Sequence, residues 1–351
     1  IIAGGGVQYS GAVAELTAFA EAHDIPVVET IAGRANMVND HALNVGPLGV
    51  TGSDSANTIA EEADVILAVG TRLQDFTTGS WTAFAKGAQM IGLNVGRHDA
   101  AKHMSMTVVG DAKLALVELG SATSGYSAPK SWTRYAQGER AKWNDYVADN
   151  MRVGNGPASY AQAIGVVNDL CDPRDRVVAA AGGLPAEVTA NWKTLDIGTA
   201  DVEFGFSCMG YEIAGGWGAR IAQAQIDSDQ DTVVFTGDGS YLLMNSDIYS
   251  SVLTDKKLIV LVLDNGGFAV INKLQNNTGN ESFNNLIADT PTATRQVSVD
   301  FEAHARAMGA EAETVEMSGL AEAFKRAKAS DKTYVICAKV DPYEGWTTEG
   351  H

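Results

Sequence analysis

The sequence predicts an α/β chain of two doubly wound domains, each built on a parallel sheet. Three observations carry this. Short apolar runs recur, among them VVF at 233–235, LIVLVL at 258–263 and YVICA at 334–338, and runs of this kind bounded by turn residues read as strands buried on both faces. Helical patterns separate them, and strands alternating with helices give a parallel sheet covered on both sides. The chain has 351 residues, enough for about two domains, and between Ser121 and Pro129 the pattern dissolves into Ser, Thr, Gly and Pro, as a linker does.

In order, Ile1-Ile2-Ala3 reads as a strand, Gly4-Gly5-Gly6 as a turn and Val13 to His23 as a helix. IPVVET (25–30), ADVILAVG (63–70) and MIGLNV (90–95) are the next strands. The glycine triplet invites a dinucleotide reading, with Glu29 near the distance for a ribose contact. Tyr9 stands where the third fingerprint glycine belongs, so a tight turn is the preferred reading. The polar loop TRLQDFTTGSWTAF (71–84) follows a strand end and either lines a pocket or caps a subunit contact, the second being preferred. These elements make a first domain over 1–125. Residues 126–157 form a linker and an amphipathic helix from Trp132 to Val147, closed by the breaker Gly154-Asn155-Gly156-Pro157. The second domain, 158–351, starts with a helix from Tyr160 to Leu170. RVVAAAGGLPAEV (176–188) is a strand ending in Gly182-Gly183, and FGFSCMGYEIAGGWGARIA (204–222) is a glycine-rich turn feeding a helix. VDFEAHARAMGAEAETV (299–315) reads as a helix and a strand start, with His304 on the helix surface.

Composition narrows the function. Net charge is −18 at neutral pH, which argues against non-specific nucleic-acid binding. No apolar run approaches the ~20 residues of a membrane span, and the N-terminus has no basic signal region. Cys171, Cys208 and Cys337 form neither a metal pattern nor a disulfide framework, which suits a reducing cytoplasm. The chain begins in mid-strand without Met and stops at Gly350-His351, so a piece of something longer is expected.

The chemistry concentrates between Thr236 and Phe268. One buried strand breaks at Gly237-Asp238-Gly239; a helical pattern with Leu242, Leu243, Ile248, Val252 and Leu253 follows; a second strand stops at Asp264-Asn265-Gly266-Gly267. Ligands bind outside the carboxyl ends of strands in open α/β sheets, where Asp238 and Asn265 are expected to project. A carboxylate, an amide oxygen and a loop carbonyl suit a hard cation such as Mg²⁺, completed by a phosphate ligand. The glycines let backbone approach phosphate, and helix-opening amides favour anions. Taken singly, GDG is a turn and DNGG a hairpin signal. At the ends of consecutive strands the pair reads as a site. Farther on, residues 269–287 are dense in Asn and Gln, with Phe283 among them. They suit either a neutral polyhydroxylated substrate or a solvated loop.

GDG, residues 240–263 and then Asp264-Asn265 resemble the cofactor motif of thiamine diphosphate-dependent enzymes, with Asp264 in place of the first of two Asn. The resemblance takes in nearly the whole chain, as the middle domain and the diphosphate-binding domain. It implies Asp238, Asn265 and the Gly267 backbone as Mg²⁺ ligands, with Gly237, Gly239, Ser240 and Phe268 along the diphosphate. Gly183 and Leu184 match the diphosphate loop. Ser207 carbonyl and Met209 N–H match the groups that hold the pyrimidine. Met209, otherwise a core residue, matches the apolar wedge that bends the cofactor. Ala214 replaces a family proline. AAGGLPAE, FGFSCMGYEIAGG, INKLQNNTGNESFNN and RLQDFTTGSW resemble the branch that hydrolyses trihydroxycyclohexane-1,2-dione to 5-deoxyglucuronate in inositol catabolism. The resemblance further implies a homodimer or homotetramer and a catalytic Glu on a pyrimidine-binding domain, of the same or another subunit, that would precede Ile1. Glu187, Glu203 and Glu212 are read as helix and turn residues. Alternatives are an acetolactate synthase-like carboligase, a non-catalytic subunit and, disfavoured by Tyr9, a dinucleotide-binding electron-transfer module.

Overall fold

The computed structural model describes residues 1–154, 156–226, 230–295 and 297–344. Asn155 of the expected breaker and the Gly350-His351 end lie outside them. The chain divides into two compact units: Ile1–Asp149 with Lys193–Ala200, and Asn150–Trp192 with the described residues from Asp201 onward.

The first unit contains β1 (Ile2–Ala3), β2 (Val27–Glu29), β3 (Asn44–Pro47), β4 (Val65–Val69), β5 (Gln89–Asn94) and β6 (Met106–Val109), in the order β3-β2-β1-β4-β5-β6. All five pairings are parallel. Alternate side chains point to opposite faces, so Ala3 and Val69 pack with Leu16, Phe19 and Leu116 on one side, while Ile2, Ile66 and Ala68 pack with Val28, Leu48 and Ile59 on the other. The helix expected over 132–147 spans Lys130–Asn150, and its Ala136 joins the second of these faces. Arg140 of that helix donates to Asn39 Oδ1 at 2.5 Å. The segment 126–157 therefore divides: most of its helix clusters with the first unit.

The chain leaves β1 toward β2 and β3 and returns to β4 on the other side, so the switch point where ligands bind in such sheets lies between β1 and β4. Here it is shut. Gly4 N–H donates to Val69 O at 2.9 Å and Gly6 N–H to Gly70 O at 2.9 Å. A Cβ on Gly4 would lie 2.4 Å from Gly70 O, and one on Gly6 2.7 Å from Gly70 Cα. The glycines serve backbone packing. Glu29 is fully buried; it pairs with Arg34 and accepts the Met37 N–H at 2.9 Å.

The second unit contains β7 (Arg176–Ala179), β8 (Ala200–Val202), β9 (Thr232–Gly237), β10 (Ile259–Asp264), β11 (Glu311–Val315) and β12 (Tyr334–Lys339), ordered β11-β12-β10-β9-β7-β8. The pairings of β7 with β9, β9 with β10, β10 with β12 and β12 with β11 are parallel. Val178, Val234, Val260, Val262 and Val335 line one core together with Ile213, Tyr241, Ile248 and Phe301. The pattern after GDG resolves into two helices, Asp238–Leu243 and Asp247–Leu253. Ile248 is buried, Val252 packs partly, and Leu242, Leu243 and Leu253 are exposed. The first part of the Asn/Gln-rich segment is a helix, Ala269–Asn277.

Candidate functional site

In the second unit the order places β7 beside β9 while β8 lies beyond β7, so the switch point falls between β7 and β9. The loop after β7 carries Gly182 and Gly183, β9 ends at Gly237 and Asp238 follows. This crevice contrasts with that of the first unit. A Cβ added to Gly237 or Gly266 would meet nothing within 4 Å. Gly183 caps the helix Leu184–Asn191 without a side-chain hydrogen bond, and Pro185 sits in its first turn. The leading N–H groups of such a helix have no partners within it and face outward.

Asp238 is the buried acid of the crevice, 5% exposed. The N–H groups of Gly239 and Gly267 favour its charged form. Burial, and next the Asp264 carboxylate, push its carboxyl up to about 7. Asp264 is half-buried and accepts the Gly266 N–H at 2.9 Å, a local turn bond. Two carboxylates close together, the second the largest charge influence on Asp238, form a set that a cation would relieve. Asn265 is also buried. Its Nδ2 donates to Tyr160 OH at 2.5 Å and its Oδ1 accepts Gly267 N–H at 3.2 Å. Tyr160 is held neutral by burial and by Asp238. Gly267, at φ +148°, pairs with Leu286 in a short bridge, and a Cβ there would lie 2.3 Å from Asn285 O. Phe268 N–H donates to Asn285 O at 2.7 Å and Ile287 N–H to Gly266 O at 2.9 Å.

Met209 and Phe268 converge on Gly239. A Cβ on Gly239 would come 2.6 Å from the Phe268 ring and 3.5 Å from Met209 Cε. Met209 is half-buried, in a turn with Ser207 at φ +52° and Gly210 at φ +92°. Ser240 is buried, and its hydroxyl donates to Glu212 at 2.8 Å, so only its backbone is free to face a ligand. Glu212 lies in the first turn of the helix Tyr211–Ile226 and is 1% exposed. It is the residue, with Tyr160, that reading along the sequence overlooked. Glu203 accepts N–H groups from Phe206 and Cys208, and Glu187 is bound by Asn191 at 2.8 Å.

The predicted residues thus gather at the ends of β7, β9 and β10: Asp238, Asn265 and Gly267 together, Gly239 between Met209 and Phe268, and Gly183 and Leu184 at the start of the neighbouring helix. Tyr160 bridges two of these groups, reaching Asn265 through its hydroxyl while its ring lies 3.8 Å from a Cβ placed on Gly183. Among the described residues no group of three or more His, Cys, Asp or Glu is gathered for a metal. One carboxylate, one carboxamide and peptide carbonyls form an incomplete shell of the kind that Mg²⁺ fills with phosphate oxygens and water. The residues fit a metal-bound diphosphate: a glycine-walled gap, a buried acid raised chiefly by burial and a neighbouring carboxylate, and a helix start. Among the described residues no helix is long and apolar enough to cross a membrane.

Comparison with known proteins gives the family. The family model described as "Thiamine pyrophosphate enzyme, central domain" matches residues 1–119, and that described as "Thiamine pyrophosphate enzyme, C-terminal TPP binding domain" matches residues 181–338. A "3D-(3,5/4)-trihydroxycyclohexane-1,2-dione hydrolase 2" of Bacillus cereus is 34% identical over 99% of this chain and 59% of its own length. The hydrolase of that name from Listeria innocua is 35% identical over 97% of this chain and 57% of its own. That of Geobacillus thermodenitrificans is 35% identical over 81% of this chain and 47% of its own. The chain therefore spans about half the length of these relatives.

Proposed function

Because this chain belongs to the thiamine pyrophosphate enzymes, with their central and C-terminal domains, we propose that it binds thiamine diphosphate through Mg²⁺ and serves the hydrolytic opening of a cyclic 1,2-dione. The substrate is trihydroxycyclohexanedione, the product 5-deoxyglucuronate and the setting inositol catabolism in the cytoplasm. The observation that carries the reading is Asp238: a buried carboxylate at the switch point, raised to about 7 by burial and a second acid, beside a gap that glycines leave open. A cation with a diphosphate meets that charge.

Asp238, Asn265 Oδ1 and the Gly267 carbonyl hold the metal in this reading. Gly183 and Leu184 N–H, with the Gly237, Gly239 and Ser240 backbone, line the diphosphate beside Phe268. The Ser207 carbonyl and Met209 N–H would hold the pyrimidine, and the Met209 side chain would shape the bound cofactor. When bound, the cofactor supplies an electron sink for breaking a C–C bond next to a carbonyl. The protein positions it, a role in which small displacements cost rate. The amides of the Ala269–Asn277 helix and the residues after it suit the hydroxyls of the substrate. The activating Glu is placed on a pyrimidine-binding domain, of the same or another subunit, in a homodimer or homotetramer.

Calorimetric titration with thiamine diphosphate tests the reading, in Mg²⁺ and then in EDTA, against the chain and its Asp238→Ala variant. Metal-dependent binding lost in the variant is expected. Equal binding by the two proteins refutes the metal assignment. Consumption of the cyclic dione rather than of pyruvate, measured with the pyrimidine-binding domain supplied, separates the hydrolase from a carboligase. Full turnover by the 351-residue chain alone would contradict the placement of the activating Glu.

A further inference from the structure

We infer that Glu212 is a positioning residue that clamps three segments of the crevice in one register: the loop after β7, the Ser207–Gly210 turn and the Asp238–Leu243 helix. The thiamine diphosphate reading above supplies what the crevice holds; the clamp itself rests on geometry. Glu212 Oε1 accepts the Ala181 N–H at 3.2 Å, and Oε2 accepts the Gly210 N–H at 2.9 Å. The Ser240 hydroxyl lies 2.8 Å from both oxygens. Gly210 N–H also approaches Ser240 Oγ at 2.7 Å. Ala181 and Ser240 come from positions 31 and 28 residues away along the chain. Each anchor lies within two residues of a proposed cofactor contact: Ala181 of Gly183, Gly210 of Met209 and Ser240 of Asp238.

The chemistry requires a carboxylate. Two peptide N–H groups approach from different segments, one at each oxygen, with a hydroxyl between them. A carboxylate accepts at both oxygens, whereas a carboxamide has one acceptor and one donor. Glutamine would therefore turn an NH₂ either toward Ala181, whose N–H is left without an acceptor, or toward Gly210, whose N–H keeps only the Ser240 hydroxyl oxygen. Glu212 is 1% exposed, so water does not replace the missing bond. A Glu in the first turn also suits the helix dipole, but that interaction does not require contacts to two distant loops.

The test uses the full chain and its Glu212→Gln variant with two readouts. In the metal- and cofactor-free protein, amide hydrogen exchange at Ala181 or at Gly210 is expected to speed up at least tenfold, with β9 and β10 unchanged. In Mg²⁺, the Kd for thiamine diphosphate is expected to rise about tenfold, the effect of one buried N–H left without an acceptor. Unchanged exchange at these two amides overturns the clamp, as does faster exchange spread evenly over the unit with an unchanged Kd, which is the mark of general destabilisation. If Glu212→Gln does not fold, Ser240→Ala removes the hydroxyl between the oxygens and the second acceptor of Gly210, and faster exchange at Gly210 is expected, its absence again overturning the clamp. A wild-type chain that binds no thiamine diphosphate refutes the cofactor reading instead, and the exchange data then decide the clamp alone.

Discussion

Replacing Asp238 with Asn should make the metal-free protein more stable at neutral and alkaline pH, and the size of the gain should depend on pH. The Asp238 carboxyl moves from 3.8 to about 7 on folding. About three units correspond to roughly 4 kcal/mol. A raised acid pKa means that the folded chain holds the proton more tightly than the unfolded chain. The stability contributed is fully present below 3.8 and is lost as pH rises through about 7. Asparagine stays neutral throughout and escapes that loss. It also turns an amide NH₂, rather than an oxygen, toward one N–H, from Gly239 or Gly267, at a cost of about 1–3 kcal/mol. The variant should therefore be the less stable protein near pH 4 and the more stable by roughly 1–3 kcal/mol near pH 8. Urea unfolding in EDTA, followed by circular dichroism at several pH values, measures this. A difference between the two proteins that is constant from about pH 4 to 8 would refute the reasoning. Adding Mg²⁺ and thiamine diphosphate at the higher pH should reverse the order, because ligand binding stabilises only the chain that keeps the carboxylate.

Two further outcomes follow from the contrasted crevices. Tyr160→Phe removes the hydroxyl that receives Asn265 Nδ2 while keeping the ring beside Gly183. It should weaken metal-dependent cofactor binding by roughly tenfold with little change in apo stability, as read by calorimetry and thermal unfolding. Gly4→Ala would set a Cβ 2.4 Å from Gly70 O. It should destabilise by at least ~1–3 kcal/mol and leave the cofactor Kd unchanged, since the β1–β4 crevice is filled by backbone.

The strands β9, β10 and β12 are legible in the sequence because they are buried on both faces and read as unbroken apolar runs. β3 is spelled Asn-Val-Gly-Pro, the alphabet of a turn. Asn44 supplies its own bonds there, donating to Met37 O and Val38 O and accepting from Gly46 N–H. β6 is an edge strand with Met106 and Val109 exposed, so no burial imposes a pattern on it. β8 has three residues, too few for a period. The helical pattern after GDG hides an interruption. Met244 takes extended φ/ψ, and Asn245 bonds back to Tyr241 O at 3.0 Å; both are tertiary choices over helix propensity. At the site, Asp238, Asn265 and the glycines are visible because their spacing is local. Glu212 and Tyr160 are not, because each acts on residues far along the chain, and a Glu at a helix start or a Tyr near one has an ordinary local explanation.

The short bridge between Gly267 and Leu286 links two parts of the second unit that the sequence keeps apart. The loop carrying Asn265 and Gly267 is tied through Gly266, Gly267 and Phe268 to residues 285–287, which follow the amide-rich helix. Any ligand that holds 285–287 in place also lowers the entropy to be lost when the loop closes on a cation, and the coupling works equally in the other direction. In the reading proposed above, occupancy at residues 285–287 and occupancy at the Asn265–Gly267 loop are thus linked functions of one small piece of antiparallel backbone, and changes at Asn285 should register as altered ion affinity.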